Sequence, residues 1–269
     1  MKKILIAGCS LLLLTIAKAQ QKEGRITYER TVQLQIQFSG AGDGMEHMLP
    51  RSRTDKFELT FGNSQTLWRQ AEPDNIDEGG GSFSNEGGMQ IRMVAAGSSD
   101  VLFTDLDTKK RIEYREMFDK KFIVDDSIQP LKWKMTEETK NILNHNCMRA
   151  TAERISQRMQ MNMENGKMER KEVADTSLVV AWFAMDIPVS SGPAEFQGQL
   201  PGMILEMDIA NGRQVFKAIT IEPKADLTII KEPTGKKHYT AAEFRKEREK
   251  MLEEMQRNNN GGNRVIRMN

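Results

Sequence analysis

The chain has 269 residues, with 39 Lys and Arg against 38 Asp and Glu, and 18 methionines. A charge balance this close to neutral gives no electrostatic reason to expect nucleic acid or an anionic membrane surface as a partner. The two cysteines, Cys9 and Cys147, are too few for a disulfide-stapled scaffold, so stability has to come from an apolar core.

The chain opens MKKILIAGCSLLLLTIAKAQ. Lys2 and Lys3 give a basic start, an apolar run extends to Ala17, and Ala17-Lys18-Ala19 is a small-x-small cleavage site. Residues 1–19 therefore read as a secretory signal peptide, too short and too early for a membrane anchor. Ile6-Ala7-Gly8-Cys9 resembles a lipoprotein box, but the apolar core continues past it, so cleavage near Ala19 is the preferred reading over acylation of Cys9. The expectation is export to the periplasm or beyond, with Cys147 left as the single thiol and no transmembrane anchor in the mature chain.

In RITYERTVQLQIQF, Ile26, Tyr28, Val32, Leu34, Ile36 and Phe38 share one parity and polar residues fill the other. That alternation predicts a strand over 26–38 with one buried face, long enough for a large curved sheet. Arg30 alone breaks the apolar parity. It reads as a bulge or snorkelling side chain, or as a charge facing a cavity. FELTF and QTLWRQA continue the strands across a Gly62-Asn63-Ser64 turn. Residues 73–89, rich in glycine and acids, read as a flexible loop. VLFTDL, RIEYREMF, KFIVDD, LKWKM, CMRATAERI, SLVVAWFAM, GMILEMDI and RQVFKAITIE then follow as strands, and Asn211-Gly212 signals a hairpin between the last two. No helical crossover separates these runs, which points away from a parallel α/β fold. The predicted architecture is mainly β. It is a single large curved antiparallel sheet or half-barrel over 20–235, with a C-terminal helix over 236–257 and a disordered tail over 258–269. Thr240 and Glu243 form a capping box for that helix, and Phe244, Met251, Leu252 and Met255 lie on one stripe.

The segment IPVSSGPAEFQGQLPG, ahead of the strand GMILEMDI, carries three prolines and three glycines. Pro188 and Gly192-Pro193 favour extended geometry and a turn. Gly198 admits backbone angles closed to other residues, and Pro201-Gly202 is a favoured type II turn centre. The element reads as a stiff corner feeding a strand, or as a loop holding a ligand or partner. It has no serine–base pair or histidine to suggest catalysis. With this corner, QLPGMI at 199–204 resembles the motif of the GLPGLI family of secreted Bacteroidetes proteins, Gln199 standing for its first glycine and Met203 for its second leucine. The Trp-containing strand AWF before it and LKWKMTEETKNILNHNCMRAT upstream are similar to the family as well. The resemblance implies an envelope protein, often encoded near outer-membrane transport components, and assigns no catalytic residues.

These readings make a non-enzymatic envelope binding or interaction module the leading expectation. It would hold an apolar small ligand in the sheet's concavity, or an outer-membrane partner at the corner. The candidate binding residues are Pro188, Gly192, Pro193, Phe196, Leu200, Pro201, Gly202 and Arg30. One alternative is a Cu(I) site of soft donors, from Met159, Met161, Met163 and Met168, with His145 and Cys147 as a second pair two residues apart. The plain reading of the methionines is a flexible hairpin tip, and of Cys147 a packed thiol. Taking Met148, Ala150 and Ala152 as the buried parity, however, would turn Cys147 outward. The other alternative is an enzyme whose acids converge from distant strands.

Overall fold

The structure, a computed structural model, describes residues 21–33, 52–72, 82–84, 90–92, 100–117, 119–164 and 167–260. Over 82–84, 90–92, 157–164, 167–172 and 255–260 it describes the backbone alone. The expected signal peptide, the far half of the first expected strand (Leu34, Ile36, Phe38), most of 73–99 and the tail from 261 lie outside the described residues. β4 (Ser82–Ser84), inside the stretch read as a loop, pairs with β5 (Gln90–Arg92), just after it, in a sheet of its own.

The other strands are β1 (Gly24–Gln33), β2 (Ser52–Gly62), β3 (Gln65–Gln70), β6 (Val101–Asp105), β7 (Lys110–Met117), β8 (Lys120–Ser127), β9 (Lys134–Ile142), β10 (His145–Glu164), β11 (Lys167–Ala184), β12 (Met203–Ile209), β13 (Gln214–Glu222) and β14 (His238–Thr240). They form one 12-stranded sheet in the order β14-β8-β7-β6-β3-β2-β1-β13-β12-β11-β10-β9. It is open, with β14 and β9 as its two edges. All pairings are antiparallel except β14 on β8, which is parallel and brings the chain directly into helix α1 (Ala241–Asn260). The expected capping box closes the start of α1: Glu243 N–H donates to Thr240 Oγ1 at 3.2 Å, and Thr240 N–H to Glu243 Oε2 at 2.8 Å. Phe244 and Met251 bury against Phe122 and Val124 of β8.

The sheet is strongly curved. Strands β7 and β10 stand eight positions apart, which on a flat sheet would be about 38 Å. Yet Arg111 and Arg115 of β7 line the same cavity as Arg154 of β10. The main core fills the concave side, where Tyr28, Leu59, Phe61, Val179, Phe183 and Phe216 are buried together with the corner residues Ile187, Phe196 and Leu200. Tyr28 Oη reaches across it to donate to Ile204 O at 2.6 Å. A smaller cluster lies on the outer face, where Leu67, Phe103, Ile112 and Ile123 pack under Ile229 and Ile230.

Several local readings change. The run LKWKM is not one strand: β9 starts at Lys134 and continues as an exposed polar edge, while Leu131 and Trp133 precede it. Lysine-rich polar edges of this kind resist strand addition by other chains. Strands β10 and β11 run on through the methionine segment as a regular antiparallel pair up to Glu164↔Lys167. The Asn211-Gly212 hairpin forms, but around a four-residue loop, 210–213, between the register partners Ile209 and Gln214 rather than as a two-residue turn, with Ala210 (φ 57°), Asn211 (φ 52°) and Gly212 (φ 83°) all left-handed. Gly202, in contrast, is not in the left-handed region, so Pro201-Gly202 does not form the expected type II turn, which needs a positive φ there. Its glycine serves a close approach instead: a Cβ at 202 would lie 2.2 Å from Ala184 O.

Cys147 is fully buried. The parity argument that turned it outward fails because the start of β10 is covered on both sides: Cys147 and Ala150, of opposite parity, both belong to the main core, and Met148 packs against it. Burial pushes the thiol up to about 11 from its ordinary 9.0. A proton held more tightly in the folded state stabilises the fold below pH 9, and that contribution is lost as pH rises through 11. The urea midpoint is therefore expected to fall between pH 9 and 11, and to fall less steeply in Cys147→Ala than in the wild type.

Candidate functional site

The concave face is not filled everywhere. A cavity of about 510 Å³ opens between β1–β3, β6–β7, the start of the β10–β11 arm and the corner residues 194–199. Its floor is aromatic. Phe57 stacks on Trp68 with ring centroids 5.0 Å apart and planes 5° from parallel, and Tyr28 and Phe216 tilt against the same indole at 5.5 and 6.0 Å. Arg30 completes the stack, its guanidinium 4.5 Å from the Phe57 ring centre.

Arg30 is thus the charge facing a cavity that its sequence position allowed. Its partner is Asp55, directly opposite in the β1–β2 register, with Arg30 Nη2 2.9 Å from Asp55 Oδ2. Asp55 shares the inward parity of Phe57 and Leu59, and also receives Arg53 at 2.7 Å. One nearly buried carboxylate therefore sets two guanidinium groups and holds Arg30 flat on the ring.

Strand β7 supplies the opposite wall. Its apolar parity, Ile112 and Tyr114, joins the outer cluster under Ile229 and Ile230. Arg111, Glu113 and Arg115 therefore turn into the cavity. Arg111 pairs with Asp126 at 2.7 Å and Arg115 with Glu113 at 2.8 Å. Burial works against the charge on Arg115, but Glu113, Asp100 and Glu195 outweigh it and raise its pKa. Asp100 lies beside them. Burial lifts its carboxyl above the ordinary range, against the pull of the Glu116 N–H at 3.1 Å and of Arg115. From the far side Arg154 bonds Glu195 at 2.8 Å and lies over the Phe196 ring at 5.6 Å.

The corner holds this wall in place. A single turn over Ala194–Phe196 follows Pro193, with Ala194 at φ 50° and Gly198 at φ 71°. Thr66 Oγ1 donates to Gln197 Oε1, tying the corner to β3. Gln199 accepts from Leu131 N–H at 2.9 Å and Trp133 Nε1 at 3.2 Å, and donates to Gln129 O at 3.0 Å. The 129–133 segment is thereby pinned at the cavity rim. Gln199→Ala removes all three bonds and is expected to cost about 1–2 kcal/mol in the urea midpoint, with faster proteolysis at 129–133 as the local readout.

Of the expected binding residues, Arg30 and Phe196 line the cavity. Pro188, Gly192, Pro193, Leu200, Pro201 and Gly202 lie outside its lining. Gly192 abuts Ile204 so closely that a Cβ there would sit 2.7 Å from Ile204 Cδ1, and Leu200 belongs to the core. Sequence reasoning did not single out Trp68, Asp100, Arg111, Glu113, Arg115, Arg154 or Glu195. Arg154 and Glu195 are 41 residues apart and carry no local signal. The Arg111-Glu113-Arg115 parity of β7 has the composition of a solvent-facing side, so composition alone does not mark it as a site. His145 Nδ1 bonds Asp186 Oδ2 at 2.9 Å, while the Cys147 thiol bonds back to His145 O. Among the described residues no three His, Cys, Asp or Glu side chains are grouped to hold a metal ion.

Residues 133–206 match a family model described as "Protein of unknown function (Porph_ging)". No match was found among curated proteins. Among solved structures, one titled "Structure of PNGF-II in C2 space group" is similar over 81% of this chain and 30% of that chain, at 17% identity and a TM-score of 0.46. The chain thus spans under a third of that structure's length.

Proposed function

We propose that the chain is an exported, non-enzymatic binding module, and that the cavity holds a small polar ligand with one apolar face. The observation behind this is the lining: arginines and carboxylates in pairs above a floor of Phe57 and Trp68, around a space of about 510 Å³. That volume suits a small molecule. The guanidinium groups donate and Asp100, Glu113 and Glu195 accept, so a ligand offering both kinds of group is matched. A wholly apolar ligand would strip water from these charges without replacing its hydrogen bonds. The charges largely cancel in pairs, which favours an uncharged or zwitterionic ligand over a strong anion. The basic and apolar N-terminus up to Ala19 supports export. The order of the pieces from Leu131 to Ile204 supports a place in the GLPGLI family, and an envelope location with it. The corner favours a ligand over a protein partner at that segment, because Gly192, Pro193, Phe196, Leu200 and Gly202 are all buried.

A thermal-shift panel of neutral sugars, amino acids, dipeptides and decanoate tests the reading. A polar probe should raise the midpoint of the wild type and lose that effect in Arg154→Ala and Arg115→Ala. A shift with decanoate alone, or one that survives both variants, would sink it.

A second reading is favoured by one observation, Asp100. A carboxyl held up by burial beside other acids is what general-acid chemistry uses. Glycosidic, ester and amide probes turned over by the wild type and not by Asp100→Asn would support it; no turnover by the wild type would remove it.

A further inference from the structure

Beyond the point where β9 and β12 stop pairing, β10 and β11 continue as a two-stranded arm that no other strand among the described residues joins. β9 is paired only as far as Thr151 and β12 only back to Val179, whereas the β10–β11 register continues without a shift to Glu164↔Lys167. In such a register, alternate residues of one strand and their direct partners share a face. One face of the arm continues the concave side and carries Arg154 and its partner Ser177. The other continues the outer side and leaves Ile155 74% and Leu178 43% exposed.

Further along, the outer-face positions are Met159, Met161 and Met163 on β10 and Met168 on β11. Met163 and Met168 are direct register partners, a separation of about 5 Å between Cβ atoms, and Met161 is the next position along the same face at roughly 7 Å. The opposite face at these positions has Gln160, Asn162, Glu169 and Lys171. Four methionines are thus placed on one face near the tip of the arm. Among the described residues, neither β9 nor β12 extends along it to bury that face.

We propose that this face is a site for a soft monovalent cation, Cu(I), with Met161, Met163 and Met168 as the donor set and Met159 next in line. Thioethers are neutral, soft donors that select Cu(I) over harder divalent ions. Methionine's unbranched, flexible side chain tolerates the spacing of a strand ladder. Arg170 faces Met161 and Glu172 faces Met159 in the register, so the same face holds one charge of each sign.

The test uses the full mature chain with Ag(I) as a redox-inert probe, followed by Cu(I) under ascorbate. Native mass spectrometry should show a retained silver ion on the wild type and on the control Met185→Leu. The triple variant Met161→Leu, Met163→Leu, Met168→Leu should lose it while keeping its circular dichroism spectrum. X-ray absorption of the Cu(I) form should show a sulfur shell. Retention by the triple variant equal to that of the wild type, no retention by the wild type, or a shell of nitrogen and oxygen would overturn the proposal.

Discussion

Gly202→Ala is expected to lower the free energy of unfolding by about 3 kcal/mol or more. The added Cβ would lie 2.2 Å from Ala184 O and 2.9 Å from its carbonyl carbon. Both atoms are backbone, at the end of β11, and cannot rotate away as a side-chain tip could. Relief would require β11 and the start of β12 to separate, where Met203, Ile204 and Leu205 are all buried. Gly212→Ala provides the contrast. It has nothing within 4 Å of an added Cβ, and the left-handed φ of 83° is its main penalty, about 1–2 kcal/mol. Urea denaturation of both variants checks the order. Equal costs would mean that the corner does not pass Ala184 as closely as described.

Trp68→Ala is expected to cost about 3–5 kcal/mol. The indole meets Tyr28, Phe57 and Phe216 at once, so its loss leaves three aromatic faces without a partner. It also removes part of the cavity floor. Trp68→Phe keeps a ring at the centre and should recover part of the stability. If the floor contributes to binding through its shape, Trp68→Phe should still show weakened ligand retention. A Trp68→Ala variant with an unchanged denaturation midpoint would contradict this account of the core.

Both variants bear on what could be read from the chain. Period-2 alternation revealed most of the strands, and the absence of helical crossovers revealed the antiparallel sheet. The capping box located the start of α1 because its signal is local. Other readings failed where a feature depends on something distant. The Arg111-Glu113-Arg115 face resembles a wet surface until Ile229 and Ile230, more than 100 residues later, cover the other side of β7 and claim its apolar parity. Pro201-Gly202 has the composition of a type II turn, but the reason for its glycine is Ala184, a residue of a preceding strand. Cys147 was misplaced by taking only one parity of β10 as covered, whereas Cys147 and Ala150, of opposite parity, both belong to the main core. Arg30 was the most informative anomaly. A charge on an apolar parity allowed a cavity-facing reading beside a bulge or snorkelling one, and its register partner Asp55 is a second charge on an inward parity. Two such breaks at matching positions on adjacent strands are a sequence-readable sign of a polar site on a concave sheet.

The central claim is that the cavity binds a polar ligand through its paired arginines. Its most direct test is native mass spectrometry of the protein isolated from the cells that make it, beside the Arg115→Ala, Arg154→Ala double variant prepared in the same way. The account predicts a co-isolated mass on the wild type, of a size that about 510 Å³ can hold, and its absence from the double variant. A lipid-sized mass, a bare chain, or a mass retained equally by the double variant would contradict it.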